Sequence, residues 1–528
     1  MQTINRTCLF FSIIILFNCQ KQVVPYDVIL LNGTVYDGTG SDPIKTDIAI
    51  TGDKIVSIGN LQNKRAHRLV DASDMAIAPG FVDLHAHLDP ILELNDCESH
   101  LRQGVTTALG GPDGGGPWPI GSYLDTLEQI GVGMNVAYLV GHNRVRRNIM
   151  NLDNRAPTDN ELEQMKSQIA QAMEEGAYGI STGLKYLPGT FSKVDEVIGL
   201  SKVAADHGGF YTSHLREEGL GLMDAVAEAI VIGREAKIPI VLTHHKVMGR
   251  PMWGKSVQTL AMVDSARSLG LDVMMDQYPY DASYTGIGII IPSWARAGGD
   301  SAFAAHLNDP ALKDSIQSGI IFNLLNDRGG GDLKRVQFAK VKWNEELEGK
   351  TLYDWCKIKN VVATLENGAD LVIEAQLNGG ASCIFHAMDE QDVERIMKHP
   401  QTMIASDGRL VAPGMGHPHP RWYGTFPRVL GHYVREREVL PLKEAIHKMS
   451  GLPAKRLGLM DRSIIKEGNY ADIVIFDPEK VIDKATFEQP HQYPVGIEYV
   501  LVNGSFAVDE ASFTDNLAGY VLRKSTTN

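Results

Sequence analysis

Both ends of the chain carry short alternating apolar runs that stop at Asn-Gly or Gly-Asp. At the start these are Asp27-Val-Ile-Leu-Leu-Asn-Gly33 and Asp47-Ile-Ala-Ile-Thr-Gly-Asp53; near the end, Ala471-Asp-Ile-Val-Ile-Phe-Asp477 and Tyr499-Val-Leu-Val-Asn-Gly504. Alternation with such turn residues is hairpin material, and the two flanks predict one small β-sandwich built from residues 26–74 and 460–528. Between them, eight apolar strand-like runs at 76–84, 105–110, 136–140, 178–181, 210–213, 240–243, 271–276 and 402–406 alternate with helical patterns. One helix is readable in detail. Thr158 with Glu161 makes a capping box, Leu162, Met165, Ile169 and Met173 recur at helical spacing, and Gly176 stands where a C-cap belongs. Repeated βα units of this kind predict an α/β fold, a (β/α)8 TIM-type barrel spanning 75–459. Residues 281–380 fit no βα unit of ordinary loop length and read as an insertion or lid.

With 528 residues, 44% of them hydrophobic, the chain can bury a large core and is not disordered. The 50 Lys and Arg stand against 64 Asp and Glu, a formal charge of -14, with no basic run to track a phosphate backbone, so nucleic acid is excluded as a partner. Five cysteines at irregular spacing give neither a disulfide framework nor a paired zinc pattern. Residues 1–19 hold Arg6, an apolar stretch over 9–17 and then Leu16-Phe17-Asn18-Cys19. This segment is similar to a bacterial lipoprotein signal, which would make Cys19 an acylated first residue and the chain an exported, lipid-anchored protein of the periplasm or outer membrane. The anchor would be its one link to a membrane; the oligomeric state stays open.

The chemistry begins at His85-Ala86-His87, directly after the apolar run that closes at Leu84. Two imidazoles at i and i+2 on an extended chain face one way and can grip one metal. His214 follows Phe210-Tyr-Thr-Ser213, His244 follows Ile240-Val-Leu-Thr243, and Asp407 follows Met403-Ile-Ala-Ser406. In a barrel all these strand ends open on one mouth. Four imidazoles and a carboxylate suit zinc better than a hard cation.

These residues, with the strings Ser181-Thr-Gly-Leu184, Thr243-His-His-Lys-Val-Met-Gly249, Asp276-Gln-Tyr-Pro-Tyr280 and Gly424-Thr-Phe-Pro-Arg-Val-Leu-Gly431, resemble the amidohydrolase superfamily. Within it they resemble the N-acyl-D-amino-acid deacylases, or D-aminoacylases, from about Tyr26 to the end. The resemblance implies that His85 and His87 hold one zinc, that His214 and His244 hold another, and that Asp407 contacts metal and handles the proton of the attacking water. It also implies that Lys246, Tyr278 and Arg421 grip a small substrate with a free carboxylate and orient its acyl group. The implied reaction is hydrolysis of the N-acyl amide to a carboxylate and a D-amino acid. A cyclic amidase resembling dihydroorotase or hydantoinase, a dipeptidase acting on D-residues, and a non-catalytic binding protein are the competing readings.

The chain departs from that family at one place. Many of its members carry a metal-binding cysteine after the second strand, whereas here the string is Gly110-Gly-Pro-Asp-Gly-Gly-Gly116, with Asp113 at the matching position. Two close cations need an anion between them, unless a single zinc serves. The favoured expectation is a CO2-derived carbamate on Lys185, because a lysine ends this strand and bridges metals elsewhere in the superfamily; Asp113 is the alternative ligand.

Overall fold

The computed structural model describes residues 25–525, so the leader read at 1–19, with Cys19, lies outside the described residues. Eight parallel strands form the centre. They are β1 (Phe81–Asp83), β2 (Val105–Gly110), β3 (Asn135–Tyr138, resumed at Val140–Gly141), β4 (Gly179–Gly183), β5 (Phe210–His214), β6 (Ile240–Leu242), β7 (Val273–Gln277) and β8 (Thr402–Ile404). Each pairs in parallel with the next, from β1 through to β8. The ring closes just past the strand ends, where Ala86–His87 pairs in parallel with Gly408–Arg409. All residues of β2, β4 and β5 are buried, as expected of strands covered on both faces. That burial explains why their sequences read as apolar runs.

The helix at Asp159–Glu174 carries the capping box read from the sequence, with Thr158 accepting from the Glu161 amide and the Glu161 side chain reaching back. It lays Met165, Ile169 and Met173 on the barrel, and Gly176 takes φ +111° just beyond its end.

One expected strand is divided. The run 76–84 is continuous in sequence, yet Ala76–Pro79 belongs to the sandwich, where it pairs antiparallel with Ile473–Phe476, and only Phe81–Asp83 enters the barrel. The chain crosses between the two sheets at Gly80. A Cβ there would come within 2.2 Å of the Thr106 hydroxyl on β2, so only glycine permits the crossing. Hydrophobic periodicity registers burial and not the sheet that provides it, hence the single run.

The sandwich combines a four-stranded sheet from residues 26–71 with a seven-stranded sheet drawn from both ends of the chain. Val28, Leu30, Ile48 and Ile50 from the first flank pack on Ile473, Ile475 and Leu501 from the second. Between β7 and β8 lies the insertion, which has its own core around Ile290, Phe303, Phe338 and Trp355. Its antiparallel sheet has Ser382–Phe385 at the centre, flanked by Ser283–Gly286 and Val336–Lys340.

Replacing Gly80 by alanine should overpack the crossing and lower unfolding stability by about 1–3 kcal/mol, read as a fall in the urea midpoint with an unchanged slope.

Candidate active site

The loops after the barrel strands carry the polar groups to one point. His85 and His87 follow β1, Asp113 lies in the turn after β2, His214 ends β5, His244 stands two residues past β6 and Asp407 three past β8. Asp113, His244 and Asp407 take φ of +55°, +38° and +45°. Backbone in this region is disfavoured for residues bearing a Cβ and is retained where the surroundings over-determine it, commonly at functional sites.

Asp113 occupies the centre. Its carboxylate oxygens lie 3.6 Å from His85 Nε2, 3.7 Å from His87 Nε2, 3.7 Å from His214 Nδ1 and 3.4 Å from His244 Nε2. Asp407 Oδ1 is 3.1 Å from His87 Nε2 and 3.5 Å from His85 Nε2. His85, His87, Asp113 and Asp407 form one group able to hold a metal ion, and Asp113, His214 and His244 form a second.

The residues present fit such ions. Both ring nitrogens of His85, His214 Nε2 and Asp113 Oδ1 are buried without a hydrogen-bond partner, an arrangement costly in a low-dielectric interior unless something coordinates them. His214 Nδ1 and His244 Nε2 meet at 2.7 Å. Burial pushes the His85 imidazole down to about 4, which keeps it neutral with a lone pair to give. Burial alone would raise the Asp113 carboxyl, but His85, His244 and His214 around it hold it well below the usual carboxylate range. Against burial and the Lys246 charge, Asp113 and Glu218 raise the His244 imidazole to about 9, so a cation bound there would displace its proton, whereas His85 gives its lone pair directly; imidazoles around ionised carboxylates suit zinc.

A second ring of residues, not found by sequence reasoning, supports the first. Glu218 Oε1 lies 3.2 Å from His244 Nδ1, and its Oε2 lies 3.7 Å from His214 Nε2. Glu218 also meets Lys246 at 2.5 Å and Arg328 at 3.5 Å. The one signal for it in the sequence is its position four residues after His214. The Asp276 side chain, in the family-like string, accepts from the His244 amide at 2.6 Å and so fixes the bend that turns His244 inward.

A cavity of about 440 Å³ opens over the cluster, lined by His87, Asp113, His214, His244, Asp407 and Arg421 among others. Lys246, Tyr278 and Arg421 all reach it. Arg421 is buried; its Nε donates to the Asp407 carbonyl at 2.7 Å, its Nη2 meets Asp407 Oδ1 at 3.0 Å, and its Nη1 has no partner. Its guanidinium lies 4.5 Å from the centre of the Tyr278 ring, whose hydroxyl is also unpartnered. Against Asp407, burial would raise the carboxyl, but the Arg421 charge and His85 bring it well below its ordinary value, so it stays ionised. Lys246 is less available: its ammonium lies 2.5 Å from both Glu218 Oε1 and His244 Nδ1.

Lys185 is not brought to the cluster. Its ammonium is held by both oxygens of Glu217 at 2.7 Å and lines a different cavity. β4 ends at Gly183, and the next two residues turn the side chain outward toward the insertion. Lys185, expected to carry the bridging anion, thus lies apart from the imidazoles, and the carboxylate that faces both pairs of them is Asp113.

The sequence profile of the amidohydrolase family matches residues 370–508. The chain is 36% identical to the D-aminoacylase of Alcaligenes xylosoxydans xylosoxydans, over 96% of this chain and 99% of that one. It is also 36% identical to the N-acyl-D-glutamate deacylase of the same organism, over 94% and 96%. The crystal structure of N-acyl-D-glutamate deacylase from Bordetella bronchiseptica, complexed with zinc and a phosphonate mimic of the tetrahedral intermediate, superimposes with a TM-score of 0.81 at 33% identity, covering 95% of this chain and all of that one. D-hydantoinase shares the fold, with a TM-score of 0.56 at 14% identity. With the metal-binding cluster at the barrel mouth and this similarity along nearly the whole length, the chain belongs to the amidohydrolase superfamily, in the group of D-aminoacylases and N-acyl-D-amino-acid deacylases.

Proposed function

We propose that the protein hydrolyses the amide bond of N-acyl-D-amino acids, using zinc held by His85, His87 and Asp407 on one side and by His214 and His244 on the other, with Asp113 shared. The observation that carries this reading is the Asp113 carboxylate set between two imidazole pairs, beneath a cavity where the unpartnered Arg421 Nη1 lies beside Asp407. The activities for which the relatives are named, D-aminoacylase and N-acyl-D-glutamate deacylase, support the substrate class. A solved D-aminoacylase is described as having a binuclear metal centre with one-metal activation and second-metal attenuation, which supports places for two ions with one of them serving the chemistry.

Zinc bound at such a site lowers the pKa of a water towards about 7 and polarises a scissile carbonyl. The chain's own groups do the rest. Arg421 offers Nη1 to the substrate's α-carboxylate, a charge-assisted bond that orients the amide. The Tyr278 hydroxyl, kept protonated by burial, donates to the oxygen on which charge develops. Asp407, ionised and oriented by Arg421 and His87, takes a proton from the attacking water and returns it to the leaving amine. Glu218 and Asp276 hold His244 in place throughout.

The leader similarity supports export and lipid attachment through Cys19; Cys19→Ser should then move the protein from the membrane fraction to the soluble exported fraction of its host, followed by immunoblot.

For the bridge, metal analysis of purified variants discriminates. Asp113→Ala should lose at least one of two zinc ions per chain, and Lys185→Met should keep the wild-type count; the reverse result would return the bridge to Lys185. For the reaction, the zinc-loaded protein assayed on both enantiomers of N-acetyl and N-formyl amino acids, with hydantoins alongside, should turn over the D-forms. Asp407→Asn should cut kcat by about 10²–10⁴-fold. Turnover of L-substrates alone would overturn the assignment.

A further inference from the structure

Next to the active-site cavity lies a second, of about 630 Å³, between the loop after β4 and the insertion. The two cavities share Tyr186, Thr285 and Gly286 as walls. Thr285, on the insertion's first strand, hydrogen-bonds to the Tyr186 hydroxyl at 3.3 Å, and the Tyr186 ring packs on His214 with centroids 4.4 Å apart. A single side-chain pair therefore separates the cluster from the second chamber.

The chamber's lining is cationic in a protein that is acidic overall. Lys185, Arg296, Lys340 and Lys342 face it, against the one carboxylate of Glu217. Glu217 is already taken by Lys185, and Lys340 is 3.2 Å from Glu348. Arg296 donates to the Gly288 carbonyl at 3.1 Å. Neither Arg296 nor Lys342 has a carboxylate within 4.0 Å among the described residues. Trp294 and Ile289 supply apolar wall beside these charges.

Barrel geometry says which end of a substrate points there. In a closed ring of eight strands, β4 lies opposite β8. Arg421, the first residue of the helix Arg421–Arg428 that follows β8, takes the α-carboxylate in the function proposed above, so the amino-acid half occupies the β8 side. The acyl half is then directed across the cluster toward Tyr186 and the chamber behind it.

We propose that this second chamber binds the far end of the acyl group and that this end is anionic, as in an acyl chain derived from a dicarboxylic acid, with Arg296 and Lys342 as its counter-charges. The preference for an acyl group rests on the amidase function; the anion site itself does not.

Two measurements on the full chain separate these. The first titrates free α,ω-dicarboxylates, succinate through sebacate, against tryptophan fluorescence. A saturable change should appear that Trp294→Phe abolishes and that Lys342→Met weakens about tenfold. Lys342 is exposed, so its replacement leaves folding intact, and Arg296→Met serves as a second variant. No saturable change, or one indifferent to Trp294→Phe and Lys342→Met, overturns the site. The second compares kcat/KM for D-amino acids acylated with dicarboxylic chains against monocarboxylic chains of equal length. The dicarboxylic series should lead by about tenfold at its best length, and Lys342→Met should remove that lead while leaving N-acetyl turnover unchanged. Equal rates in the unaltered protein overturn the acyl assignment. If no acyl amino acid is hydrolysed while the fluorescence titration still saturates, the amidase function fails and the anion site stands.

Discussion

Asp83 accepts two hydrogen bonds from Ser406, one from the amide and one from the hydroxyl, and both partners are buried. Through them the first and last strands of the barrel are held together immediately below the mouth, and the pairing of Ala86–His87 with Gly408–Arg409 completes the ring one step above. His87 and Asp407 are 320 residues apart in the chain, and this seam sets them at 3.1 Å. Burial pushes the Asp83 carboxyl up to about 6, with the Ser406 bonds working in the opposite direction. With a pKa of about 6 the carboxyl is still mostly ionised at neutral pH, as suits a group that accepts from the Ser406 amide and hydroxyl and from the His85 amide.

The same concern for charge governs the cluster. Four imidazoles, two carboxylates and two positive side chains, Arg421 and Lys246, are gathered together, all of them buried except His87 and Asp113, which are partly exposed at the mouth. Left unbalanced, such a collection would be strongly destabilising, because unpaired polar groups are costly where the dielectric is low. The balance comes in layers: Arg421 on Asp407, Glu218 on Lys246 and on both distal imidazoles, and Asp276 on the backbone of His244. Among the atoms that these layers leave without a hydrogen bond, His85 Nε2 and Asp113 Oδ1 face each other across the cluster at 3.6 Å. These are reserved for a cation, while Arg421 Nη1 and the Tyr278 hydroxyl, also without a partner, are left for the substrate. The positive φ angles at Asp113, His244 and Asp407 fit the same account, since turning a side chain in over the mouth needs backbone that the regular strand does not provide.

The insertion gives the mouth its second wall. It packs its own apolar core, so it need not borrow stability from the barrel. Its first strand brings Thr285 to Tyr186, and its turn at Ser293–Arg296 carries Trp294 and Arg296 to the chamber beside the cluster. In related barrels the chemistry is set by strand ends and the choice of substrate by loops. Here the loop that closes the substrate's distal side is a folded unit.

Sequence alone determined the elements whose signal is local. Apolar runs marked all eight barrel strands, Thr158 with Glu161 marked a helix start, and the residues that follow those runs supplied His85, His87, His214, His244 and Asp407. These were legible because each depends on neighbours a few residues away and because every strand of such a barrel ends on the same face. The tertiary structure decided what depends on distance. It divided 76–84 between two sheets at Gly80, where the obstacle is Thr106 on another strand. It sent Lys185 to Glu217 and set Asp113 among the imidazoles, because the direction of a loop side chain is chosen by what packs around it. It recruited Glu218, which no periodicity marks. A residue's kind and spacing can announce that it is able to bind a metal; whether it does so at one point with five others is a matter of how the ring closes, and the bonds that close it join residues more than three hundred positions apart.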